Sequence, residues 1–269
     1  MNVKRAEKPG TLPREAEPTY DGVRLPKGRL VSPDPDYARG KPAPGPVVWV
    51  TDEDVEDLAA QVAQLLPRLA PLGLWPFALV SMEREDTRPW LDGELSDSSS
   101  PDGHSPAPLL ADWWSNGLPM DGDEEGMEAV APFGRTFPGL APATPPGDDT
   151  TEISDIELEG RLGIVAVTRA ADAVAAVGWM GAVNHHADMG PMAAIFRSWE
   201  DRFGAHVVTI GFDTLMFLVD RPPTDLESAL AIAAEHFSAC PDNIHQGSGS
   251  LEEYASELVD SPIWNFWWD

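Results

Sequence analysis

Apolar positions are sparse over residues 1–46, which hold nine prolines and no sustained apolar period. Such a stretch buries too little surface to offset its ordering entropy. An extended or disordered arm is expected, with Val23, Leu25, Leu30 and Val31 able to dock locally as a short strand. The pattern changes at residues 47–50, a continuous apolar run of β type. Thr51, Asp52 and acids at 53, 54, 56 and 57 read as a helix N-terminus, where carboxylates meet the positive end of the dipole. Val55, Leu58, Ala59, Val62, Leu65, Leu66 and Leu69 then recur at helical spacing, with Pro67 ending or bending the helix. Residues 74–80 read as a buried strand with Pro76 near its start. Strand, helix and strand with short links predict a right-handed βαβ unit.

Residues 96–108 form a Ser/Asp/Pro/Gly loop, 109–115 a helical turn displaying Trp113 and Trp114, and 121–128 an acidic loop or short helix. Residues 132–149 are rich in Pro and Gly and read as a linker over the surface. Beyond 150 the signals sharpen. Residues 162–168 predict a strand, and 172–177 a short helix stopped near Gly178. A helix over 192–203 carries Ile195, Phe196, Trp199 and Phe203 on one face, with Gly204 as its stop. Two β-type runs, 206–212 and 215–219, join at Asp213-Thr214 as a hairpin. Thr224 with Glu227 makes a capping box for a helix to about Ala239, ended by Pro241. A helix over 251–259 and a terminal strand over 263–268 follow. The fold class expected is α/β, bordering on α+β, with a mixed β-sheet of about five or six strands flanked by helices. The layout expected is an arm over 1–46, a βαβ-containing region with long Pro/Gly-rich loops over 47–150, and a C-terminal domain over 151–269. No repeat of solenoid length is present.

Several short motifs stand out in the second half. They are Gly178-Trp179 with Asn184, Arg197-Ser198-Trp199-Glu200, Gly211-Phe212-Asp213-Thr214-Leu215, Cys240-Pro241-Asp242, Gln246-Gly247-Ser248-Gly249 and Trp264-Asn265-Phe266-Trp267-Trp268-Asp269. Over about residues 160–269 the chain resembles the domain of unknown function 4253 family (DUF4253). Upstream, Leu74-Trp75-Pro76, Phe133-Gly134-Arg135 and Gly139-Leu140-Ala141-Pro142 resemble the N-terminal portion that accompanies this domain in actinobacterial proteins. That family has no assigned activity, cofactor or catalytic residue, so the resemblance implies none for this chain.

Charge narrows the classes of partner. The chain carries 18 basic and 45 acidic side chains, a net charge of −27. Residues 1–46 are net basic, with nine basic and six acidic groups, whereas residues 51–150 and 151–269 are strongly acidic. Without a basic stripe to release counterions, nucleic acid is excluded, and anionic membrane surfaces are disfavoured. A basic protein is the electrostatic complement, and solubility alone is the plainer role for the charge. The single cysteine, Cys240, allows no internal disulfide, which fits a reducing compartment. No signal-peptide core and no run of ~20 apolar residues is present, so a cytoplasmic, soluble protein is expected. Low Lys with abundant Ala, Arg, Gly and Pro fits a high-GC bacterial genome.

Candidate chemistry falls into three groups. His236, Cys240 and His245, joined by His185, His186 and Asp188, are ligand types for zinc, but their spacing matches no recognised zinc motif. Cys240 beside His236 resembles a thiolate with its base, yet a helix C-terminus raises a thiol pKa and no nucleophile turn is visible. Asp213-Thr214, Asp242-Asn243 and Gly247-Ser248-Gly249-Ser250 each read as a functional turn or as turn and cap chemistry, the last with Glu253. In the terminal strand Trp264, Phe266 and Trp268 alternate with Asn265 and Trp267, so one face suits a core and the other a groove, with the carboxylates of Asp269 beside the rings. The binding candidates are Trp179, Asn184, Asp213, Asp242, Gln246, Trp267 and Asp269. No catalytic residue and no cofactor are assigned. Two functions follow: a non-enzymatic protein-interaction module, immunity-type or regulatory, that captures a protein partner of basic charge; or a hydrolase or metal-dependent enzyme built on His185, His186, His236, Cys240 and Asp242. Convergence of those five in one pocket separates the two.

Overall fold

Continuous apolar runs of four to six residues have no polar side to show to water, and here they become strands buried on both faces. The computed structural model describes residues 3–37, 45–82, 85–120, 123–145 and 151–269. After a two-stranded hairpin, β1 (Thr19–Tyr20) with β2 (Val23–Arg24), come β3 (Gly28–Val31) and β4 (Val48–Thr51). Helix α1 (Leu58–Leu69) leads to β5 (Trp75–Leu79), and α2 (Pro106–Gly117) and α3 (Glu124–Ala129) follow. The second half runs β6 (Arg161–Val165), α4 (Ala173–Val177), α5 (Met189–Phe203), β7 (Ala205–Ile210), β8 (Thr214–Val219), α6 (Leu226–Ala239), α7 (Leu251–Leu258) and β9 (Ile263–Trp267).

The main sheet has seven strands in the order β3-β4-β6-β5-β7-β8-β9, mixed as expected and longer than the five or six anticipated. Every neighbouring pair in it is antiparallel except β5 with β7. The chain from β4 through α1 to β5 is a split unit. β6 arrives from more than 80 residues downstream and inserts between them, antiparallel to both. The regions 47–150 and 151–269 therefore share one sheet. The net-basic segment contributes too: β3 pairs with β4 at the edge, and Leu25 and Val31 are buried. Arg5 reaches Glu200 at 2.6 Å, tying the start of the chain to α5.

Two helix starts differ from expectation. The acids at 52–57 precede α1 instead of opening it. Asp52 pairs with Arg29 and Lys27, Asp54 with Arg161, and the Thr51 hydroxyl accepts from Leu162 N, so this run fastens β3 and β6 to β4. Helix α6 is capped by Asp225, whose carboxylate accepts from Ser228 N at 2.8 Å, one residue beyond the expected Thr224. Ser250 does cap α7, accepting from Glu253 N. Of the acidic segment 121–128, residues 121 and 122 lie outside the described residues, and α3 occupies most of the rest.

Helices α5 and α6 cover the sheet face formed by Phe217, Trp264 and Phe266. Trp199 stacks on Phe266 at 5.4 Å, and Phe196 meets Phe217 edge to face. Glu235, fully buried on α6, takes both arms of Arg202, the Trp199 indole and the Ala141 amide. That arrangement pins the 139–142 motif onto α5 and α6 with every carboxylate oxygen satisfied. Among the described residues no helix is long and apolar enough to cross a membrane.

Candidate functional site

The site grows from the end of α4. Gly178 closes that helix at φ 72, and the Ser96 backbone lies where a Cβ would stand, so only glycine fits. The next residue, Trp179, is buried and donates its indole N–H to Gly211 O at 2.8 Å. It meets Trp268 edge to face at 5.3 Å. Trp268 in turn donates its indole N–H to Ala239 O and its backbone N–H to Asp213 O, each at 3.0 Å. These bonds bring together the loop after α4, the β7–β8 turn and the end of β9.

The three segments, with the loop that carries Pro89 and Glu94, enclose a cleft of ≈ 280 Å³. Glu94 and Pro89 form one side, Met180, Gly181 and Asn184 another, with Phe212, Asp213, Trp268 and Asp269 completing it. A Cβ at Gly181 would collide with the Trp179 ring and Phe212 O, so glycine keeps this loop close to the turn. Glu94 is held by Arg88, which also lies over the Phe212 ring. Among the described residues the side chains of Asn184, Asp213 and Asp269 engage in no hydrogen bond or ion pair.

Of the binding candidates, Asn184, Asp213 and Asp269 line the cleft, and Trp179 packs beneath it against Trp268. Asp242 stands behind it as a junction. Its carboxylate receives His185 Nε2 at 2.8 Å, Asp269 N at 3.0 Å and Gln246 Nε2 at 3.1 Å. Asp242 and Gln246 thus fix the wall and do not line it. Trp267 lies on the other face of β9 at 37 % exposure, away from the cleft. Pro89, Glu94, Met180, Gly181, Val183, Phe212 and Trp268 complete the lining. Phe212 and Trp268 lay within recognised motifs, but Glu94 comes from a stretch with no periodic signal.

The metal and nucleophile candidates are each engaged by partners of their own. His236 is fully buried edge to face with Trp199, Trp264 and Phe266, and its Nδ1 lies 3.1 Å from the Tyr254 hydroxyl. Burial, helped by Arg202, holds its pKa well below the usual histidine value. Cys240 is buried and its thiol donates to Trp267 O at 3.0 Å; burial pushes its pKa up to about 12. His186 bonds to Ala239 O and lies against Trp113, and burial pushes its pKa down to about 4. His245 reaches Gly117 O and the Phe237 ring. Asp188 caps α5 through Gly190 N; burial opposes its ionisation, but hydrogen bonds from Ser99 and Gly190 outweigh this and hold it below the usual carboxylate range. Among the described residues no three His, Cys, Asp or Glu side chains are placed to hold a metal ion.

Residues 161–269 match the family described as domain of unknown function (DUF4253). That stretch begins at β6 and runs through β9, and it coincides with the reach of the sequence resemblance. No curated protein and no solved structure matches the chain.

Proposed function

We propose that this DUF4253-containing chain is a protein-interaction module whose cleft at the β7–β8 turn receives a basic partner. The observation that carries the reading is the cleft itself. Two carboxylates, Asp213 and Asp269, and the Asn184 amide line it, their side chains without a partner among the described residues, with the half-buried Phe212 and the buried Trp268 completing the wall. Carboxylates lining a cleft favour a cation, and a net charge of −27 steers one toward the surface. A hydrolase would have to rest on the His185–Asp242 pair. Asp242 is already engaged by Gln246 and Asp269, and among the described residues the His185 ring bonds to no serine, threonine or cysteine. None of His185, His186, His236, Cys240 and Asp242 lines this cleft.

The test is capture from host lysate at low salt, followed by purification of each captured protein and titration against the full chain. A partner of net positive charge, bound 1:1 with an affinity that falls roughly tenfold or more as salt rises to about 0.5 M, supports the reading. Capture of only neutral or acidic proteins, or binding indifferent to salt, overturns it.

A further inference from the structure

One guanidinium already sits at the cleft wall. Arg88 lies with its Cζ 5.2 Å from the centroid of the Phe212 ring, and its Nε and Nη2 meet the two oxygens of Glu94 at 2.6 and 2.9 Å. A flat ring for the face of the group and a carboxylate fork for its edge are the two elements of guanidinium recognition. The same cleft holds a second set of acceptors that no cation among the described residues occupies. Asp213 and Asp269 stand there with the Asn184 amide, beside Trp268. At ≈ 280 Å³ the space lies just under the roughly 300–1,000 Å³ of clefts that take whole drug-sized ligands, so it suits one long side chain.

We infer that the cleft is an arginine-side-chain pocket: the guanidinium of an arginine on the partner enters beside Trp268 and is held by Asp213 and Asp269. The inference rests on the interaction reading above and makes it specific to one residue type. Lysine is the weaker ligand, because a compact, strongly hydrated ammonium cannot bridge two carboxylates in a fork. Asp242 acts as a positioning residue, since its bond to Asp269 N sets where that carboxylate stands.

The experiment titrates the full chain with N-acetyl-arginine methylamide and with its lysine and citrulline counterparts, citrulline being the uncharged isostere. Two-dimensional NMR reads the Trp268 indole N–H, the Asn184 side-chain amide and the Asp213 backbone amide. Saturable shifts of these three groups are expected with arginine, with about tenfold weaker binding for citrulline and a weaker effect for lysine. Asp213→Asn combined with Asp269→Asn should weaken arginine binding about tenfold with an unchanged melting curve. Shifts that fail to saturate at these groups, equal binding of citrulline, or undiminished binding by the double variant overturns the inference. If the arginine probe fails while a basic partner still binds with the expected salt dependence, the pocket is wrong and the interaction reading stands. If the probe binds and no basic partner is captured, the pocket stands and the interaction reading falls.

Discussion

Glu235 shows what a buried charge demands of its surroundings. Its carboxylate is fully buried and takes four donors, from Arg202, Trp199 and Ala141. Removing one partner of such a pair leaves the other charge in a dry site, which typically costs ~3–5 kcal/mol. Glu235→Gln should therefore lower stability by about that much in urea unfolding, and Glu235→Leu with Arg202→Leu should cost less than the two single losses combined. His186 gives the complementary case, a group kept neutral. Its pKa is about 4, against an ordinary value of about 6.5. Below pH 6.5 the unfolded chain takes up a proton that the folded chain refuses. The stability tied to His186 is thus complete above pH 6.5 and lost as pH falls toward 4, by about 3 kcal/mol. His236 adds a loss of the same sign. Unfolding free energies measured across this window should fall steeply in the wild type and less steeply in His186→Gln.

Among the elements, β9 depends most on side chains for its place. It borders the sheet, and its outward-facing backbone groups are met by Asn243, which donates to Asn265 O at 2.7 Å and accepts from Trp267 N at 3.1 Å. One amide thus stands in for a further strand and blunts the edge. Trp264 and Phe266 bury their rings on one face while Trp267 stays half exposed on the other. Trp264→Ala should cost ~3–5 kcal/mol in thermal or urea unfolding, and Trp267→Ala should change stability little. Asn243→Ala should speed amide exchange at Trp267 and increase association at high concentration, read by light scattering. This strand was legible because its aromatic alternation has a period of two, and Gly178, Gly204 and Pro241 likewise announced the ends of their helices. The start of α1 was not. Acids before an amphipathic run resemble dipole chemistry, and only the positions of Lys27, Arg29 and Arg161, distant in sequence, direct them elsewhere. The cleft was half legible for the same reason. Motif residues supplied Trp179, Asn184, Asp213 and Asp269, whereas Glu94 arrives on a loop whose course is set by Ser96 N bonding to Gly178 O.

At the scale of the whole molecule, the family match and the sheet do not coincide. Within residues 161–269, β6 and β7 are not neighbours, because β5, from Trp75–Leu79, lies between them. The fragment 151–269 alone should lack a cooperative melting transition by circular dichroism. Co-expression with a fragment covering residues 1–150 should restore a soluble complex, and changing Phe77 in that fragment to Asp should abolish the rescue. Threading β6 between β4 and β5 also reaches into the chain's synthesis. Once the ribosome has made Leu79 it must add 81 residues before Arg161 appears, which at roughly 5–20 residues per second takes about 4–16 s. Throughout that interval β4 and β5 have apolar faces and no strand to join them. A nascent chain in this state is a client for chaperones, and on a crowded polysome its nearest alternative partner is the same segment on the next ribosome. Codon choice between residues 80 and 160 would then govern the yield of native protein, through the pace of translation and not through the stability of the finished fold.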